Sequence, residues 1–246
     1  MNFSAISRDT LLGKLLRLPL KLLPANMAVP ILQGPMRGMR WIVGSGDHGY
    51  WLGSYELGFQ RMFALKIKTG EIVYDIGAHV GYYTLLASRN VGPEGHVYSF
   101  EPLPRNAQFI ERHLRINRLH NVTFKQVAVS DHAGRVQFGG GVSSSTGRII
   151  PQGELEVQAV KLDDLLSSGE IEPPRVMKID VEGAEGAVLQ GSLSLLKEYG
   201  PQIFLATHGE PARQDCIGFL HELGYSLEPL NAMGADGASE FFASVD

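Results

Sequence analysis

An α/β fold, a mostly parallel sheet with helices on both faces, is predicted for this chain by three observations. From residue 70 onward, β-prone apolar runs alternate with helix-compatible segments, the rhythm of strand–helix–strand crossovers. The first run, 72–76, passes through Asp75 into a glycine turn spanning Gly77 to Gly81. The second, 96–100, stops against Glu101 and Pro102, so two apolar strands carry carboxylates at their ends.

Taken in order, residues 1 to about 40 read as an extension. A leucine-rich helix over 11–23 is followed by Pro24, Pro30 and Pro35, which interrupt regular structure. Residues 40–43 suit a strand, 44–49 a turn and 56–66 a helix. The boundary is set at residue 48, giving an extension of helix and cap at 1–48 and a main domain at 49–246. Strands are expected at 72–76, 96–100, 122–128, 175–179, 202–206, 224–228 and 240–244, and helices at 81–90, 104–117, 184–197 and 212–223. Pro104 opening one helix and Gly224 just past another are residues suited to those boundaries. Only the last strands are placed to pair antiparallel. The segment 129–174 breaks the rhythm. Its stretch 139–147 is too rich in glycine and serine for a packed element and reads as a loop or a lid, flanked by a strand pair at 135–138 and 155–160.

Composition narrows the class. Hydrophobic residues at 44% and charged residues at 20% are ordinary for a folded soluble domain. A net charge of −4 argues against general affinity for nucleic acid. The charge is uneven: residues 1–71 hold 9 Lys+Arg against 4 Asp+Glu, or +5, leaving −9 for the rest. The single cysteine, Cys216, excludes an internal disulfide and a cysteine-rich zinc site and suits a reducing cytoplasm, the expected location. Lys14, Arg17, Pro19 and Lys21 interrupt the leucine-rich stretch too often for a membrane span. It packs on the domain or on a partner subunit, in a homo-oligomer for example, or lies on a membrane surface as a basic amphipathic helix.

The spacing of the first motif selects a ligand class. A dinucleotide fingerprint needs Gly-x-Gly-x-x-Gly, which brings the backbone against a pyrophosphate. Here the pattern is Asp-x-Gly-x-x-x-Gly, without the middle glycine. The turn therefore suits a nucleoside lacking a pyrophosphate, and S-adenosylmethionine has that chemistry. Gly77 would allow close approach of backbone to ligand, Asp75 would accept from the ligand's ammonium group directly or through water, and Glu101 would accept both hydroxyls of a ribose. The remaining motif residues Ala78, Gly81, Tyr83, Thr84 and Pro102 are assigned to the same cofactor site. Glu56, with Trp51 and Tyr55, either closes over it or packs the extension onto the core.

A further apolar strand ends at Asp180, followed by Glu182 and Glu185. Strand ends of this edge hold the ligand in open α/β sheets, so Asp180 is assigned to cofactor contact and to catalysis. Glu182 and Glu185 either join that chemistry or favour the N-terminus of the next helix. His208, past the strand at 202–206, lies on the same edge and can act as a general base on a hydroxyl. Asp180 and His208 are also two metal ligands. Two ligands do not make a site, and no metal is assigned.

These motifs together resemble the FkbM family of S-adenosylmethionine-dependent methyltransferases. The resemblance runs over about residues 50–210. It rests on the segments 74–84 and 100–102, Ala128 to Asp131, Leu162 to Leu165, and Lys178 to Glu185. It implies a class I methyltransferase (Rossmann-like) sheet of seven strands with the last antiparallel, and methylation of a hydroxyl on a small molecule such as a sugar or a natural-product or glycan intermediate. It also implies that Asp75, Gly77 and Glu101 hold the cofactor, with Ala128 near the adenine. The family often has Asn where this chain has His79.

Three other readings compete. A nicotinamide-dependent dehydrogenase conflicts with the missing glycine. An RNA 2′-O-methyltransferase finds an echo in the Lys178–Asp180 pair but no basic aromatic stripe. A non-catalytic membrane-peripheral module with the same fold is opposed by the intact set of Asp75, Gly77 and Glu101, and turnover separates the two.

Overall fold

A computed structural model of the chain describes residues 22–139, 148–149, 153, 155–230 and 240–245. The leucine-rich helix, apart from Leu22 and Leu23, and most of the glycine- and serine-rich loop lie outside the described residues.

In chain order the strands are β1 (Ala28–Pro30), β2 (Arg40–Ile42), β3 (Ile72–Ile76), β4 (His96–Phe100), β5 (Val122–Lys125), β6 (Ala128–Val129), β7 (Gly134–Gly139), β8 (Arg148–Ile149), β9 (Leu155–Val160), β10 (Val176–Ile179), β11 (Gln202–Ala206), β12 (Ser226–Pro229) and β13 (Glu240–Ser244). The helices are α1 (His48–Leu52), α2 (Leu57–Lys66), α3 (Tyr82–Val91), α4 (Pro104–Asn117), α5 (Leu162–Ser167), α6 (Glu185–Gln190), α7 (Leu193–Tyr199) and α8 (Glu210–Glu222).

Seven strands form the main sheet in the order β12-β13-β11-β10-β3-β4-β5. All pair in parallel except β13, which runs antiparallel between β11 and β12. This is the class I methyltransferase arrangement that the family resemblance implies, seven strands with the last antiparallel. The central strands are buried on both faces, which is why they read as continuous apolar runs. Alternation divides them. Val73, Val97, Val176 and Phe204 face a layer containing Leu85 and Leu86 of α3 and Phe63 of α2. Tyr74, Tyr98, Met177, Ile203 and Leu205 face Val188, Leu189, Leu196 and Leu220 from α6, α7 and α8. Each such fully buried side chain contributes about 1.5–3 kcal/mol.

Three regions differ from the sequence reading. The expected helix over 184–197 is two helices, α6 and α7, broken at Gly191 and Ser192. A Cβ on Gly191 would meet the Ser130 carbonyl oxygen at 2.0 Å, and Asp163 accepts from the Ser194 and Leu195 N–H groups at 2.9 Å each, capping α7. The expected strand over 122–128 is divided between two sheets, β5 in the main one and β6 in a second sheet ordered β6-β9-β7-β8. That second sheet, with α5, occupies the segment that breaks the alternation; its strand pair is β7 and β9, antiparallel. Finally, the expected strand at 40–43 is β2, and it pairs with an unforeseen β1 in a hairpin that packs Trp41 fully inside the core, stacked on His113 at 3.9 Å between ring centroids. Asn117 holds the hairpin edge by accepting from the Arg40 N–H at 2.7 Å and donating to the Arg40 carbonyl at 2.8 Å.

Candidate active site

At the carboxyl ends of β3, β4 and β10 the chain leaves a cavity, in the position where parallel sheets bind ligands. One wall is apolar, with Phe100, Leu103, Val127, Ala128, Val129 and Phe138. Another is polar, with Lys178, Asp180 and Glu182, and Tyr50, Tyr55, Tyr82 and Tyr83 supply hydroxyl-bearing rings.

Glu101 is the carboxylate between them. It is 5% exposed and lines the cavity. Its Oε2 accepts from the His79 main-chain N–H at 2.8 Å; its Oε1 accepts from the Leu103 N–H at 3.0 Å and the Asn106 amide at 3.2 Å. Burial pushes its carboxyl up to about 7, against those three donors. His79 stands at φ 52°, in the left-handed region where Asn and His are tolerated better than most residues. What the position delivers to Glu101 is a main-chain N–H, which either residue supplies.

Asp75, expected to accept from a ligand's ammonium group directly or through water, is fully buried and is not part of the cavity wall. Its Oδ2 accepts from the Thr84 hydroxyl at 2.6 Å, and Thr84 in turn meets Ser99 at 2.9 Å. Lys178 is Asp75's neighbour in register, and its Nζ lies 3.7 Å from Asp75 Oδ1. Burial raises the Asp75 carboxyl, with Lys178 and Thr84 opposing the shift. Lys178 Nζ also donates to Asp180 Oδ2 at 3.2 Å. Burial alone would lower the lysine, but the two carboxylates overcome it and hold it at about 12, a fixed cation beneath the cavity.

Gly77 adopts φ +76°, and a Cβ there would strike the Asp180 carbonyl oxygen at 1.9 Å. The glycine therefore serves the approach of the β3 turn to the β10 end. Gly81, at φ +88°, packs against Ile110 and starts α3. Ala78, Tyr83, Pro102, Ala128 and Asp180 line the cavity as assigned; Gly81, Thr84 and Glu56 do not. Glu56 instead accepts from the Tyr83 hydroxyl at 2.7 Å, fixing a cavity ring from behind. Tyr55 lines the cavity, whereas Trp51 is buried away from it and donates to His48.

His208 lies beside the cavity. Its Nε2 is 3.8 Å from Asp180 Oδ1 and 3.5 Å from Glu182 Oε2. Its Nδ1 bonds Glu185 Oε1 at 2.7 Å, and that carboxylate, fully buried, also accepts from the Gly183 N–H. The Glu185 hydrogen bond raises the His208 pKa above the usual imidazole value. Glu185 is thus an anchor for His208, a role the sequence did not show. Tyr50, Tyr82, Asn106 and Phe138 were also missed. Asn106 had a signal, since Pro104 fixes the start of α4 and puts Asn106 in its first turn.

The lining fits S-adenosylmethionine: a buried carboxylate for a diol, an apolar wall for a purine, and Lys178 with Asp180 for a zwitterionic tail. Among the described residues, no helix is long and apolar enough to cross a membrane.

Comparison with known proteins finds methyltransferases. The model of the methyltransferase FkbM domain matches residues 75–227, more than half of the chain. Hexuronic acid methyltransferase AglP of Haloferax volcanii is 23% identical over 171 residues, 68% of this chain and 69% of that protein. The 31-O-demethyl-FK506 methyltransferase FkbM of Streptomyces tacrolimicus is 29% identical, covering 52% of this chain and 61% of its own. The crystal structure of methyltransferase FkbM from Methylobacillus flagellatus superposes with a TM-score of 0.53 at 16% identity, over 81% of this chain. This chain spans about half of that one, 55% of its length.

Proposed function

The chain belongs to the FkbM methyltransferase family, and on that premise we propose that it transfers a methyl group from S-adenosylmethionine to a hydroxyl oxygen of a small molecule, a sugar or another natural-product or glycan intermediate. The observation that carries the reading is Glu101, a nearly buried carboxylate facing a cavity whose other wall is apolar. A diol satisfies such a carboxylate with two hydroxyl donors, and the wall of Val127, Ala128, Val129 and Phe138 suits a purine.

Glu101 would hold the ribose and Ala128 the adenine side, with Lys178 and Asp180 facing the amino-acid tail. Asp75 acts behind the wall by fixing Thr84 and Lys178. When bound, S-adenosylmethionine supplies a methyl group already activated by its sulfonium. The protein's task is then alignment of an acceptor oxygen and exclusion of water. The tyrosines at 50, 55 and 82 enclose the cavity. The edge formed by Asp180 and His208 faces the acceptor and draws off its hydroxyl proton. His208 is oriented for this by Glu185.

The test is incubation with methyl-labelled S-adenosylmethionine and a panel of hydroxylated acceptors. A relative that acts on a hexuronic acid makes sugar acids the first choice. An alkali-stable O-methyl product is expected. Label that appears only in esters, amines or carbon–methyl bonds would refute O-methylation.

A further inference from the structure

The geometry points to a divalent-cation site formed by Asp180, Glu182 and His208. One ligand atom from each lies within 4.8 Å of the others. The His208 Nε2 separations, 3.8 Å to Asp180 and 3.5 Å to Glu182, exceed hydrogen-bond length. They lie close to the roughly 3.0–3.5 Å between adjacent ligand atoms that each bond one ion at about 2.1 Å. The three ligand atoms converge on one point of the edge, with His208 Nε2 bonded to neither carboxylate.

Two of the three ligand atoms are each presented by a separate support. Glu185 is fully buried and accepts at 2.7 Å from His208 Nδ1, so that nitrogen carries the proton and Nε2 turns its lone pair toward the carboxylates. A carboxylate behind a histidine is the recurrent orienting device of metal-bound imidazoles. Asp180 has its Oδ2 on Lys178, which leaves Oδ1 facing His208. Glu182 stands at φ 56°, and its carboxylate reaches toward His208. Charge favours the same conclusion. Asp75, Asp180, Glu182 and Glu185 ion-pair, among the described residues, with only Lys178 and His208. One imidazole with two carboxylates on a partly exposed edge suits Mn2+, with Mg2+ and Zn2+ able to occupy the same ligands.

The consequence for chemistry rests on the methyl-transfer reading; the binding of a cation does not. A hydroxyl acceptor coordinated to the ion would lose its proton more readily, and His208 would then be a ligand and not the base. A proton on His208, shared between the two carboxylates, is the rival means of balancing the charge.

The full chain, freed of metal with a chelator and dialysed, would be titrated with Mn2+ by calorimetry, with unbound ion followed by electron paramagnetic resonance. One saturable equivalent is expected. Asp180→Asn and Glu182→Gln should each weaken it at least about tenfold, whereas Glu94→Gln, an exposed carboxylate elsewhere, should not. No saturable binding, or binding that survives both substitutions, would overturn the site. Should the variants fail to fold, spin-echo modulation on the wild-type Mn2+ complex decides. A coupled imidazole nitrogen supports the site, and its absence refutes it. S-adenosylhomocysteine binding measured in parallel keeps the two questions apart, since its loss would count against the methyltransferase reading alone.

Discussion

The main-chain N–H of His79 donates to Glu101 Oε2 at 2.8 Å, joining the turn after β3 to the end of β4 at the floor of the cavity. Charge-assisted bonds from a ligand diol would add to it, at about 1.5–3 kcal/mol apiece. Glu101→Ala is therefore expected to weaken S-adenosylhomocysteine by at least about tenfold, read by calorimetry with circular dichroism to verify folding.

The same carboxylate sets a pH dependence. Burial raises its folded pKa to about 7, so the neutral form is favoured in the fold. That contribution to stability is complete below the ordinary carboxyl value and is lost as pH rises through about 7. Ligand binding runs the other way, because the ionised form is the better acceptor for a diol. Affinity should climb between pH 6 and 8 and then level off. Glu101→Gln should remove the slope; an unchanged slope would assign it to another group.

His208→Ala should cut turnover by about 100-fold or more while leaving S-adenosylhomocysteine affinity within about twofold, since the histidine adjoins the acceptor edge and does not line the cavity. Labelled-methyl transfer and calorimetry on the same preparation check both halves. Undiminished turnover would remove His208 from the chemistry.

His113 accepts the Ile42 N–H on Nε2 at 3.1 Å and bonds the Val80 carbonyl through Nδ1 at 2.9 Å. Only the neutral ring can do both. Burial lowers its pKa to about 4. The stabilisation is thus present above the ordinary imidazole value of 6.5 and drains away as pH falls toward 4. Urea unfolding should give His113→Ala a loss of about 2–4 kcal/mol at pH 7.5. The gap between variant and wild type should narrow at pH 5.

Two glycines with positive φ separate strain from collision. Gly183→Ala has open space around its new methyl and should cost about 1 kcal/mol. Gly77→Ala drives its methyl into the Asp180 carbonyl and should cost at least about 3 kcal/mol and abolish cofactor binding. Equal costs for the two would mean that the β3 turn and the β10 end do not need their close approach.

Much of this was legible in the chain. Strands β3, β4, β11 and β13 fall where apolar runs put them, because buried strands leave a pattern that depends on few distant contacts. The break at Gly191 did not show, because its cause is a carbonyl on Ser130, far away in sequence. The β2 strand was visible at 40–43, but its pairing with β1 was hidden for a similar reason: the hairpin's partners, His113 and Asn117, belong to α4. At the site, Glu101, Asp180 and His208 were visible as polar residues at strand ends. Glu185 resembled any acid at a helix start until the fold turned it onto His208. Asp75 was recognised from its motif, but which way its carboxylate points depends on Lys178, its neighbour on β10.

Calorimetric titration of the folded chain with S-adenosylhomocysteine, run beside NAD+, is the most direct examination of the adenosyl pocket. One equivalent should bind with heat from the first ligand and none from the second. A correctly folded protein that gives no heat with S-adenosylhomocysteine, or that prefers NAD+, would contradict the assignment of the Glu101 cavity to a methyl donor.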